Sequence, residues 1–238
     1  RGVLTMEKQL NKLWKASLEK ENVVKGEMLI RMPEHIDEEG LFEWFKTSIP
    51  KLTTCIDEAE EETGVKCVCQ KGCSGCCKQA IQVLSSEAQA IKIKLMAFTK
   101  EEKQVIYEKV VHILKAIERS GLDTDFSHYY SQGCVSPQLM QFMQDYFELG
   151  ISCPLLSEEG NCMIYEVRPG GCWGYRVYDT PEMCTESFYN INGINFENWE
   201  EYLLKVLYRK RGTVEELKLL PYWLFDILEG QIKEEMSS

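Results

Sequence analysis

The sequence predicts a mainly α-helical single domain interrupted by an irregular, cysteine-rich segment. Three observations carry this. Apolar residues recur at helical spacing through most of the chain. Several such stretches open on a capping box and close on glycine. Between about Gly150 and Asn195, by contrast, neither helical nor strand periodicity is sustained, while Pro154, Gly160, Pro169, Gly170, Gly171, Gly174 and Pro181 interrupt the chain.

Taken in order, Arg1 to Thr5 are read as a leader or remnant ahead of a start at Met6, and the domain is placed at residues 6–238. Leu10, Leu13, Trp14 and Leu18 mark a first helix over 6–20, and Val23 to Met32 reads as ambiguous, open to a short strand. Asp37 can cap a helix through Phe45, with Pro50 in the first turn of another that runs to Thr63 before Gly64. Ser86 with Gln89 and Thr99 with Glu102 form capping boxes. After the second, Ile106, Val110, Ile113 and Ile117 line one face up to Gly121. Ser136-Pro137 starts a helix carrying Leu139, Phe142, Met143, Tyr146 and Phe147. Helical spacing returns at Trp199, Leu203, Val206 and Leu207, and Thr213 with Glu216 predicts a final helix that bends at Pro221.

Composition narrows the function. Of 238 residues, 44% are hydrophobic and 27% charged, ordinary values for a chain that builds a core. No apolar run approaches the ~20 residues of a membrane span. Twenty-seven basic against 38 acidic residues give a net charge of −11, which disfavours a broad nucleic-acid groove. Eleven cysteines, an odd number, cannot all pair internally. The N-terminal residues lack the apolar core of a signal peptide. Reduced thiols in the cytoplasm are therefore expected, and there a dense cysteine pattern points to metal or redox chemistry.

The cysteines fall into two groups. The first reads Cys67-Val-Cys69-Gln-Lys-Gly-Cys73-Ser-Gly-Cys76-Cys77. Cys73 and Cys76 have the spacing at which two thiolates meet one metal across a turn, which Gly72 and Gly75 suit. Cys76 and Cys77 are neighbours whose side chains diverge on a regular helix or strand. Either one is a spectator or the site holds more than one metal atom. The second group is Cys153, Cys162 and Cys172, too widely spaced for a local knuckle. Together the groups supply the four soft ligands of zinc or an iron–sulfur cluster. Closing the 75 residues between Cys77 and Cys153 costs roughly 4 kcal/mol. Structural zinc supplies about 10–16 kcal/mol, so the metal prevails.

Cys73-Ser-Gly-Cys76-Cys77, Cys153-Pro-Leu-Leu, Cys162-Met-Ile-Tyr and Arg168-Pro-x-x-Cys172 resemble, in this order, the CxxCxxCC cysteine-cluster family, a zinc- or iron-chelating domain. The resemblance spans about residues 67–178 and implies metal ligation by Cys73, Cys76, Cys77, Cys153, Cys162 and Cys172. Two positions depart from the pattern. Gln70 stands where the first cysteine belongs, with Cys69 nearest, and Trp173 stands where arginine often follows the last cysteine, with Arg176 further on. Relatives are described as iron–sulfur proteins, zinc binders and, in one branch, flagellin lysine N-methylases.

The remaining candidates have plainer readings. Cys55, among Leu52, Ile56 and Ala59, belongs to the core, and Cys134 and Cys184 read as spectators. Cys67 and Cys69 read as loop thiols or supporting residues. His112 sits on an amphipathic helix, and His128 is a minor ligand candidate. Arg168 and Arg176 either offset thiolate charge or form ordinary ion pairs. Trp173, Tyr175 and Tyr178 exclude water from the site or line a pocket. Asp57 to Glu62 reads as a solvated face; Tyr222, Trp223 and Phe225 read as core. Cys69-x-x-x-Cys73-x-x-Cys76 has radical-enzyme spacing without surrounding β/α alternation, and no Walker loop, dinucleotide fingerprint, nucleophile elbow or H-E-x-x-H helix is present. Three functions stay open: a protein organised by its metal, an iron–sulfur enzyme of redox or protein-lysine methyl transfer, and a thiol-exchange or disulfide-stabilised protein. The metal ion is the expected partner; a protein partner is not specified.

Overall fold

The computed structural model describes residues 5–31, 37–70, 72–126, 136–188, 192–196 and 215–237. His128, Cys134, the helix expected near Trp199 to Leu207 and the Thr213 cap lie outside them. The described residues are mainly helical.

Helix α1 (Met6–Arg31) packs along α2 (Glu38–Thr63). The ambiguous 23–32 stretch is therefore helical up to Arg31, and its strand alternative is excluded. Leu10, Leu13 and Met28 are buried on α1, whereas Trp14 is exposed. Glu21 and Lys25 complete the buried face as an ion pair at 3.0 Å. Burial raises the Glu21 carboxyl above its ordinary range, against the pull of Lys25.

Asp37 caps α2 by accepting the Gly40 N–H at 2.7 Å, and Gly64 closes it at φ 71°. Two helices were expected here; one continuous helix forms, with Pro50 inside it. A mid-helix proline costs about 3 kcal/mol. One unbroken apolar face, Leu41, Phe45, Ile49, Leu52, Ile56 and Ala59, offsets this by burial on both sides of the proline.

Strand β1 (Gln82–Leu84) runs directly into α3 (Ser85–Met96). The expected Ser86 and Gln89 cap does not form. Instead the Glu87 carboxylate accepts the Leu84 N–H at 3.0 Å, which starts the helix at Ser85. Helix α4 (Lys100–Ser120) has its expected Thr99 and Glu102 capping box, its buried face and its Gly121 terminus. Ser136 caps α5 (Pro137–Glu148) by accepting the Leu139 N–H.

The irregular segment is built from short pieces: a 3-10 turn (Tyr165–Val167), α6 (Gly170–Trp173), β2 (Tyr175–Val177) and α7 (Met183–Glu186). β2 pairs antiparallel with β3 (Gly193–Asn195), Arg176 opposite Ile194. Leu217–Leu219 forms β4, antiparallel to β1, and not the start of a helix. Helix α8 (Leu220–Ser237) then begins with Pro221 in its first turn, where no bend arises. The Trp223 indole N–H donates to the Val83 carbonyl at 2.9 Å and fixes α8 on β1. Tyr222, Trp223 and Phe225 pack partly buried against the core. Cys55 is buried there as expected.

Candidate metal centre

The first cysteine group is shaped by a reversal of the chain. Gly72 adopts φ 89°, a conformation costly for any residue with a Cβ. Gly75–Lys78 then wind into a 3-10 turn, with Cys77 N–H donating to the Ser74 carbonyl at 3.0 Å. The second group enters through Cys153, whose N–H donates to the Cys77 carbonyl at 2.7 Å. Leu156 and Cys162 pair across a tight loop closed by Ser157 N–H to the Asn161 carbonyl at 2.9 Å. Cys172 lies in α6, which begins where the Gly170 N–H donates to Glu87 at 2.8 Å.

These turns place Cys73, Cys76, Cys77, Cys153, Cys162 and Cys172 around one cavity of about 90 Å³. The neighbours Cys76 and Cys77, expected to diverge, both line it, because the tight 3-10 turn replaces the regular element assumed for them. Among the described residues, no group of three or more His, Cys, Asp or Glu side chains already has the arrangement of an ion site.

Desolvation dominates the chemistry of these thiols. It pushes Cys153 up to about 12, holds Cys172 well above the thiol range and raises Cys162. Cys77 is raised chiefly by its neighbour Cys76; the same neighbour pair lowers Cys76 to about 7, with help from Arg168. Arg168 lines the cavity and lies 4.1 Å over the Tyr165 ring. Its cation also works against the rise of Cys162 and Cys172, so it is the arginine that faces these sulfurs.

Arg176 turns away from the cavity of six thiols. It forms ion pairs with Asp57 at 2.7 Å and Glu60 at 2.8 Å and donates to the Thr53 carbonyl at 3.3 Å. The Arg176–Glu60 pair is largely buried, whereas Asp57 stays exposed, so the contact is more than an ordinary surface ion pair. Glu60 also accepts the Tyr178 hydroxyl at 2.8 Å, so the acidic run is only partly a solvated face. Trp173 and Tyr178 are buried, and Tyr175 is partly exposed. His112 is exposed on α4.

A second cavity of about 460 Å³ adjoins the first and shares Cys73, Cys76 and Cys172 with it. Cys67, Cys69 and Cys184 line only the larger one. Cys184, read as a spectator, packs against the first cysteine turn: a Cβ on Gly75 would stand 2.9 Å from the Cys184 Cβ. Its thiol is raised to about 11, chiefly by desolvation. Only the contact with Gly75 reveals its place, and no local motif announces that contact.

No curated protein and no solved structure matches the chain. Among the described residues no helix is long and apolar enough to cross a membrane. One family profile, described as "Putative zinc- or iron-chelating domain", matches residues 68–191, just over half of the sequence and all six cysteines of the smaller cavity. That match, on the residues that line this cavity, supports metal binding through clustered cysteines: the chain belongs to the CxxCxxCC family.

Proposed function

We propose that the chain is a cytoplasmic metal-binding protein in which Cys73, Cys76, Cys77, Cys153, Cys162 and Cys172 supply the thiolates for zinc or an iron–sulfur cluster. The observation that carries this is the convergence of all six on one cavity across 75 intervening residues. The donor set fits: thiolates suit both zinc and iron–sulfur centres, and Arg168 offers the positive charge that a thiolate cluster needs beside it. Six sulfurs exceed the four of a tetrahedral ion, which leaves room for a cluster or for two supporting thiols. A bound centre would cross-link the two halves, and an iron–sulfur cluster would add electron transfer. The chain's own part is to gather the sulfurs, give up their protons and exclude water with Trp173 and Leu155. The ten cysteines among the described residues are all free thiols, which supports a reducing compartment. The two buried clusters both take in Leu114 and Leu217, which supports one domain over 6–238.

Elemental analysis and an optical spectrum of anaerobically purified protein test the reading. Zinc predicts a colourless protein with stoichiometric metal; a cluster predicts a brown one with a reducible visible band. Metal removal is expected to destabilise the protein and make its unfolding less cooperative, and an apo form of unchanged stability contradicts the structural role.

The second reading, an iron–sulfur enzyme of redox or protein-lysine methyl transfer, is favoured by the cavity of about 460 Å³ beside the thiols. That volume admits a small substrate. Stoichiometric zinc in a colourless protein counts against it.

A further inference from the structure

Cys67 and Cys69 stand apart from the six sulfurs described above. Both line the larger cavity and neither reaches the smaller one. Cys69 is exposed and Cys67 is half-buried. One residue separates them. The Cys67 thiol donates to the Cys69 carbonyl at 3.7 Å. The Cys69 sulfur accepts the Val177 N–H at 3.4 Å, and the Val68 N–H donates to the Val177 carbonyl at 2.9 Å. β2 therefore holds this stretch in place and aims a backbone donor at one sulfur of the two.

We propose that Cys67 and Cys69 form a redox dithiol that reduces low-molecular-weight disulfides, with Cys69 as the attacking sulfur and Cys67 as the resolving one. The roles follow from the hydrogen bonds. The neighbouring Cys67 thiol and the Val177 N–H aimed at its sulfur favour the anion at Cys69, whose thiol is lowered from its ordinary range. Cys67 donates to the Cys69 carbonyl, keeps its proton and is raised, first by its neighbour Cys69 and then by burial.

In the first step the Cys69 thiolate attacks one sulfur of the disulfide RSSR. The S–S bond breaks, RS⁻ leaves and takes a proton from water, and a mixed disulfide remains on Cys69. Cys67 then loses its proton to water and attacks the Cys69 sulfur, expelling the second RS⁻, which is protonated in turn. The dithiol is oxidised to a disulfide by two electrons, and RSSR is reduced to two RSH. A ring closed across a single residue is strained, so thiols reopen it readily.

The test uses the purified, metal-containing chain with oxidised glutathione as the probe, followed by acid quenching, alkylation and tryptic digestion. Cleavage after Lys66 and Lys71 releases Cys67 and Cys69 on one peptide free of the other nine cysteines. In the wild type this peptide is expected to escape alkylation and to be lighter by two hydrogens. Cys67→Ser should trap a glutathionyl group on Cys69, and Cys69→Ser should slow the reaction at Cys67 at least about tenfold. Both variants should keep the wild-type metal content, which separates this proposal from the metal reading. A fully alkylated wild-type peptide, an unmodified Cys69 in Cys67→Ser, or metal loss in Cys69→Ser would each overturn it.

Discussion

The backbone N–H of Cys153 donates to the carbonyl of Cys77 at 2.7 Å. This bond joins the two cysteine groups through the main chain, so their approach does not depend on the sulfurs alone. The Val68 N–H, donating to Val177 at 2.9 Å, supports the first group again. Both ties lie in turns and short strands with few bonds of their own, so a metal that cross-links them should hold them shut. Hydrogen exchange with and without chelator is expected to show faster exchange over residues 153–172 after metal removal. Amides of the buried face of α4 around Val110 and Ile113 should accelerate less. Equal acceleration in both regions would contradict a locally organising metal.

Glu87 predicts a pH dependence. Its carboxylate accepts the Leu84 and Gly170 N–H groups, at 3.0 and 2.8 Å, in a fully buried position. Desolvation nonetheless prevails and raises it from 4.5 to about 7. Between these values the folded chain holds a proton that the unfolded chain has released. The favourable contribution is thus complete below pH ~4.5 and is lost as pH rises through about 7, on the order of 3 kcal/mol in all. Denaturant melts at several pH values should show this decline in the wild type and a flatter profile in Glu87→Gln. Identical profiles would exclude it.

The Arg176 cation and the Glu60 carboxylate form a largely buried pair. Removing one partner leaves the other charge uncompensated, so Arg176→Met should cost about 3–5 kcal/mol in chemical denaturation. Adding Glu60→Gln should recover part of that loss, since the neutral amide no longer needs the cation. A double variant as unstable as the sum of its parts would remove the coupling.

Two glycines should respond in opposite directions. A Cβ on Gly75 would stand 2.9 Å from the Cys184 Cβ, so Gly75→Ala must displace α7 from the cysteine turn. About 1–3 kcal/mol of destabilisation is expected. Gly26, inside α1, would meet nothing within 4 Å, and Gly26→Ala should stabilise by about 0.5–1 kcal/mol. Thermal unfolding of both variants checks the pair; a shift of the same sign in both contradicts the packing described.

Local signals suffice where one stretch carries all of them. In α4 the Thr99 cap, the Ile106 to Ile117 face and Gly121 agree. They fail where tertiary contacts override them. Glu21 and Lys25 sit on the buried face of α1, so its second half shows no apolar period. Pro50 signals a helix start but is carried inside α2 by the packed face around it. Leu217–Leu219 pairs with Gln82–Leu84 from far along the chain, and three residues contain no trace of that partner. The six cysteines that line the smaller cavity all stand in spaced motifs of one chemistry, so the sequence alone groups them. Cys184 is left out, since its relation to Gly75 exists only in the fold.

Metal stoichiometry in two single variants, one from each cysteine group, tests the central claim most directly. Cys76→Ser and Cys162→Ser, purified anaerobically beside the wild type, should both lose most of the bound zinc or iron, because each removes a sulfur from the same cavity. Full metal content in both, or loss in one alone, would show that the two groups do not share a centre.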